Sequence, residues 1–167
     1  MQITEMIRDI FLNPNRAFRN AGYESPGETM LFYLAILAIS SLLSSLVAYD
    51  GFLSALLIFT TLMISGLIML LVATVWLHIW VFLFGGRESL LQTCRIFVYG
   101  SAPMMLIGWL PFFGIIGILW SFVLWIIGVR ELQHLRTPLA VITVVLPVAL
   151  LMILLAALIF IAVLVLW

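Results

Sequence analysis

The chain alternates between long apolar runs and short polar interruptions. Uncharged stretches cover residues 29–49, 51–86, 96–129 and 137–167, together 122 of the 167 residues. A helix needs about 20 apolar residues to cross a hydrocarbon layer of about 30 Å. Backbone groups in lipid must pair internally, so such runs are helices or strands of a closed barrel. These runs lack period-two alternation and far exceed the length of a barrel strand. The pattern predicts an all-α, polytopic transmembrane helical bundle.

Charge position then sets the number of crossings. The chain has seven arginines, no lysine and seven acids, for a net charge of zero. Every arginine lies outside the four stretches: Arg8, Arg16 and Arg19, then Arg87 and Arg95, then Arg130 and Arg136. Basic residues favour the cytoplasmic side, so these three segments are expected inside and Asp50 outside. The first stretch crosses outward and the second returns as one long helix. The third begins and ends inside, so it crosses twice or forms a re-entrant hairpin. Its break is the run Gly108-Trp109-Leu110-Pro111-Phe112-Phe113-Gly114. The fourth ends outside. The result is five spans, N-in and C-out, at about 29–49, 52–84, 94–110, 112–129 and 138–166.

Local signals agree with this map. Ser25-Pro26-Gly27-Glu28 reads as a capping box with proline at the first helical position. Asn13-Pro14 and Thr137-Pro138 open helices in a similar way. Gly85-Gly86 closes the second span. Pro103 and Pro147 should bend the spans that contain them. Near the N-terminus, Ile3, Met6, Ile7, Ile10 and Phe11 form one stripe, with Glu5, Arg8 and Asp9 expected opposite. That spacing predicts an amphipathic helix, lying on the inner leaflet or docked on the protein itself. The first 28 residues lack the apolar core of a signal peptide. Residues 1–25 thus read as cytoplasmic amphipathic and juxtamembrane helices, and 26–167 as a five-span transmembrane domain.

Composition narrows the chemistry. At 66% hydrophobic and 8% charged, with a mean hydropathy of +1.34, the chain is neither a soluble globule nor a nucleic-acid binder with a basic surface. His78, flanked by Trp76 and Trp80, reads as an interfacial histidine or a polar site. Glu131 and His134 have the Glu-x-x-His spacing of bundle metal sites, but such sites need a second pair and further glutamates. A surface ion pair is the better reading, and no metal or cofactor is expected. The single Cys94 excludes an intramolecular disulfide. Ser40, Ser41, Ser44 and Ser45, with Thr61 and Ser65, form polar stripes that serve helix packing or line a solute path. Gly114, Gly117 and Ser121 read as a further packing stripe. The four uncharged stretches carry no Asp, Glu, Arg or Lys, unlike most ion-coupled transporters. No phosphate loop, catalytic triad or carboxylate pair is present, so a non-enzymatic role is expected.

The third span is the candidate site. Pro103 frees carbonyls near Tyr99, and Gly100, Ser101 and Ala102 cover them poorly. In lipid such groups must face protein or a wet cavity. Arg95 lies one turn before Tyr99. Arg95, Tyr99, Ser101 and Pro103 could together hold a lipid phosphate or a partner's carboxylate, or could form a packing kink alone.

An ordered set of segments resembles the Yip family, membrane proteins named for interacting with Ypt/Rab GTPases. The segments are Gly85-Gly86 with Leu90-Leu91-Gln92-Thr93, and Tyr99-Gly100-Ser101-Ala102-Pro103. After them come Leu110-Pro111-Phe112-Phe113-Gly114, Ile118-Leu119-Trp120, Gly128-Val129-Arg130-Glu131-Leu132 and Thr137-Pro138-Leu139-Ala140. Asn13-Pro14-Asn15-Arg16-Ala17-Phe18 resembles the element before the family's first helix. The resemblance implies a non-enzymatic membrane protein of five spans. The acidic Asp-Leu-Tyr-Gly-Pro element of eukaryotic members is missing, so the chain looks more like the short prokaryotic members. GTPase binding is therefore not carried over. The expected role is membrane organisation, scaffolding or partner binding through cytoplasmic loops, with lipids and cytoplasmic-face proteins as partners. A homo-oligomer is left open, and the expected location is the cell membrane if the source is prokaryotic. The alternative is a channel or uncoupled transporter using the broken third and fourth helices.

Overall fold

The computed structural model describes residues 3–48, 50–110 and 112–166. Pro111 and Trp167 lie outside the described residues, as does the side chain of Ile3. The described residues form eight helices: α1 (Ile3–Leu12), α2 (Pro14–Ala21), α3 (Pro26–Val47), α4 (Phe52–Leu83), α5 (Leu90–Gly100), α6 (Ala102–Ile107), α7 (Phe113–Leu132) and α8 (Thr137–Leu166). With α5 and α6 taken as one interrupted span, Leu90–Ile107, five are long and apolar enough to cross a membrane.

The helix ends follow the local chemistry. Ser25 Oγ accepts from the Glu28 N–H at 3.2 Å, and Glu28 Oε2 accepts from the Ser25 N–H at 2.8 Å. This reciprocal pairing satisfies two donors of the first turn of α3. At the end of α4, the Gly86 N–H donates to Val81 O at 2.9 Å and the Gly85 N–H to Phe82 O at 3.2 Å. Gly85 has φ +97°, as this closure requires. Gly86 has no room for a side chain, because a Cβ would meet Gln133 Oε1 at 3.0 Å and Val81 O at 3.1 Å.

The hairpin arms are longer than the uncharged stretch suggested. Helix α5 starts at Leu90 and α7 runs to Leu132, so the arms hold 18 and 20 residues, about 27 and 30 Å. They gain this length by taking in polar residues, Gln92 and Arg95 on one arm and Arg130 and Glu131 on the other. Arg95 therefore sits on the second turn of a helix and is buried. The third span breaks at Ser101, with Pro103 in the first turn of α6.

Helix α3 packs on α4 and α6, α5 and α6 on α7, α4 on α5, and both α4 and α7 on α8. Helix α1 packs on α2, and α2 on α7 and α5. Burial is concentrated at one end. The buried residues of α4 are Leu70, Thr74, Leu77 and Val81, in its second half. Those of α8 are Ala140, Thr143, Val144 and Pro147, and residues 149–164 are all exposed. An exposed apolar surface of that size suits contact with lipid.

Candidate functional site

The end that carries the arginines is built from distant segments. Helix α1 buries Met6 and Ile10, and Ile7 packs against the same core. This segment is docked on the protein. Asp9, expected on the polar face, is buried: it pairs with Arg8 at 3.2 Å and with Arg16 of α2 at 3.6 Å. Stripe counting misplaced Asp9 because α2 folds back and brings Arg16 to it. Phe18 of α2 inserts beside Gly128 of α7, where a Cβ would lie 2.8 Å from its ring. Arg130 donates to Asn15 Oδ1 at 2.5 Å, and Arg19 pairs with Glu131 at 3.6 Å.

Arg95 and Tyr99 are brought together, and they hold a segment of this same chain. Arg95 is 5% exposed and donates to Gly22 O at 3.0 Å and to Glu24 O. The Tyr99 hydroxyl donates to the Glu24 carboxylate and lies 3.4 Å from Thr29 Oγ1. Phe32 covers its ring, with centroids 4.9 Å apart. The loop between α2 and α3 thus lies in the position expected for a lipid phosphate or a partner's carboxylate. Arg95 Nε remains buried without a hydrogen-bond partner.

Ser101 and Pro103 sit apart from this latch, packed toward α7. Gly100 lies against the indole of Trp125 with no room for a Cβ, and Trp125 stacks on Phe97 at 5.7 Å. The Met104 N–H donates to Ser121 Oγ at 3.1 Å across the break. A Cβ on Gly117 would lie 3.0 Å from Pro103 O. The poorly covered backbone therefore faces protein. Ser101 Oγ is buried and unpartnered.

The serine stripe is divided. Ser40, Ser41, Ser44 and Ser65 line a cavity of about 410 Å³ between α3 and α4. Ser45 is buried and donates to Leu42 O at 2.8 Å, while Thr61 is exposed. Tyr33 bridges the same two helices, donating to Gly66 O at 2.7 Å. None of the lining residues of this cavity comes from α6 or α7.

Sequence reasoning offered His78 as a polar site but missed the partners that make it a second polar cluster. His78 Nδ1 lies 2.8 Å from Thr93 Oγ1, which accepts from Gln133 Nε2 at 3.0 Å. Gln133 Oε1 in turn accepts from the Glu88 N–H at 3.2 Å. Three helices are tied together by one buried threonine. Glu131 is engaged by Arg19 and Arg130, and His134 lies beyond the helix at φ +54°, so the two do not share a helical face. Gln92 was also missed. Its spacing from Arg95 and Tyr99 (i, i+3, i+7) marks one helix face and is the signal that could have found it.

The Yip1 domain family model matches residues 8–159, nearly the whole chain. The chain belongs to that family. The match runs from within α1 to within α8 and so reaches all five candidate spans, and this Yip1-domain protein is a multi-pass membrane protein. Neither the curated proteins nor the solved structures give a match.

Proposed function

We propose that this Yip1-domain protein is a non-enzymatic organiser of the membrane, working through its arginine-bearing end on the cytoplasmic side. The observation that supports this reading is the docking of the 22–24 loop on Arg95 and Tyr99. It fixes α1, α2 and the ends of α5 and α7 as one polar face. A scaffold needs such a preformed surface, since ordering a loose one on binding costs affinity. Its partners are lipids and proteins at that face.

Site-specific photo-cross-linking tests this. Tyr23 is 93% exposed at this face, and Phe52 is 78% exposed at the turn between α3 and α4. A cross-linker at position 23 should capture defined protein species in native membranes, and one at position 52 mainly lipid. Equal yields of protein adducts at both positions would contradict the reading.

The serine-lined cavity favours a second reading, an uncoupled solute path. That path was expected to use the broken helices, and α6 and α7 do not line the cavity. Solute flux through reconstituted protein, abolished by Ser41→Leu, would favour it over scaffolding.

A further inference from the structure

Beside the latch, a cavity of about 370 Å³ is bordered by Arg19, Glu88, Gln92, Arg130, Glu131 and His134. Small-molecule sites span about 300–1,000 Å³. Two arginines face two glutamates, so with a neutral histidine the lining carries no net charge. Glu131 already lies 3.6 Å from Arg19 and 3.0 Å from Arg130. The Glu88 carboxylate makes no ion pair or hydrogen bond among the described residues. Gln92 is the informative residue. Its amide nitrogen donates to Gly22 O at 3.4 Å, which fixes the orientation of the amide. Its Oε1 is buried and has no donor. A buried acceptor left open is unfavourable, and a small turn of the Gln92 side chain toward the cavity would let this oxygen accept an N–H or O–H from a ligand.

These groups discriminate among ligand chemistries. A bare anion would serve the arginines and leave Gln92 Oε1 open beside the Glu88 carboxylate. A bare cation would do the reverse. A compound that joins a phosphate to a primary ammonium serves both sets. We propose that the cavity binds a phosphoethanolamine group, its phosphate toward Arg19 and Arg130 and its ammonium toward Gln92 Oε1 and Glu88. Phosphocholine has no N–H to give Gln92, and phosphoglycerol has no cation to give Glu88. The group can come from phosphatidylethanolamine in the adjoining leaflet or from a soluble glycerophosphoethanolamine. The proposal rests on reading this end as the working face. It is read by lipid selectivity rather than by cross-linking, so the two can fail separately.

The test uses the full chain in detergent with an equimolar mixture of phosphatidylethanolamine, phosphatidylcholine and phosphatidylglycerol of the same acyl chains. Bound lipid is counted by native mass spectrometry. Phosphatidylethanolamine should exceed the other two by about fivefold or more, equivalent to about 1 kcal/mol. Gln92→Leu and Glu88→Gln should each abolish that preference. Gln92→Glu keeps an acceptor and should retain it, which separates loss of the site from loss of fold. Arg130→Gln should lower binding of all three lipids. In a second arm, excess glycerophosphoethanolamine should displace the bound lipid if the headgroup suffices. Binding of the soluble compound without lipid preference would assign the source as soluble and keep the chemistry. Equal binding of all three lipids with no binding of the soluble compound would overturn the proposal. So would a preference that persists in Gln92→Leu and Glu88→Gln.

Discussion

Tyr99 donates its phenol to the carboxylate of Glu24, a residue 75 positions earlier in the chain. This contact, with Arg95 on the Gly22 and Glu24 carbonyls, joins the segment before the first span to the start of the third. It turns two short N-terminal helices into part of the helical bundle.

Removing the phenol should loosen that joint. Tyr99→Phe keeps the ring against Phe32 and leaves a partly buried carboxylate without that donor. The expected cost is about 1–3 kcal/mol, read as a lower midpoint of thermal unfolding in detergent. Arg95→Leu should cost at least as much, because the Glu24 carbonyl loses this donor and the Gly22 carbonyl keeps only the 3.4 Å bond from Gln92. Wild-type stability in both variants would show that the latch is not a structural joint.

The spans were legible because their signals are local. Apolar runs, the Ser25/Glu28 capping box and the Gly85-Gly86 closure each depend on neighbours a few residues away. The latch was half legible. Arg95 and Tyr99 stand out beside the break, but their partners lie 71 to 75 residues upstream in a loop with no pattern of its own. Asp9 failed for a related reason: helical spacing places it on a polar face, and only the fold-back of α2 buries it. Thr93 and Gln133 pair across 40 residues, and nothing in periodicity connects them.

The break near Pro103 should tolerate loss of the proline far better than filling of the glycine. Pro103 occupies the first turn of α6, where a missing N–H costs little. Pro103→Ala should shift stability by less than about 1 kcal/mol. Gly100→Val drives a branched side chain into Trp125 and should cost about 1–3 kcal/mol or more. Unfolding in detergent separates the two. Equal effects would contradict the packing described at the break.

Helix α1 should detach when its buried face is charged. Ile10 is fully buried and Phe11 is 37% exposed. Ile10→Asp places an unpaired carboxylate in the core and should expose residues 3–21 to protease. Phe11→Asp should leave the digestion pattern unchanged. Identical digestion of both variants and wild type would show that α1 has no important docking site.

The account's central claim is that the latched, arginine-bearing end faces the cytoplasm, and orientation can be measured directly. In a Cys94→Ser background, single cysteines replace Tyr23 and Asp50, at opposite ends of α3, and intact cells receive a membrane-impermeant maleimide. The account expects labelling at position 50 and none at position 23 until the membrane is permeabilised. Labelling at position 23 in intact cells, with position 50 protected, would contradict it.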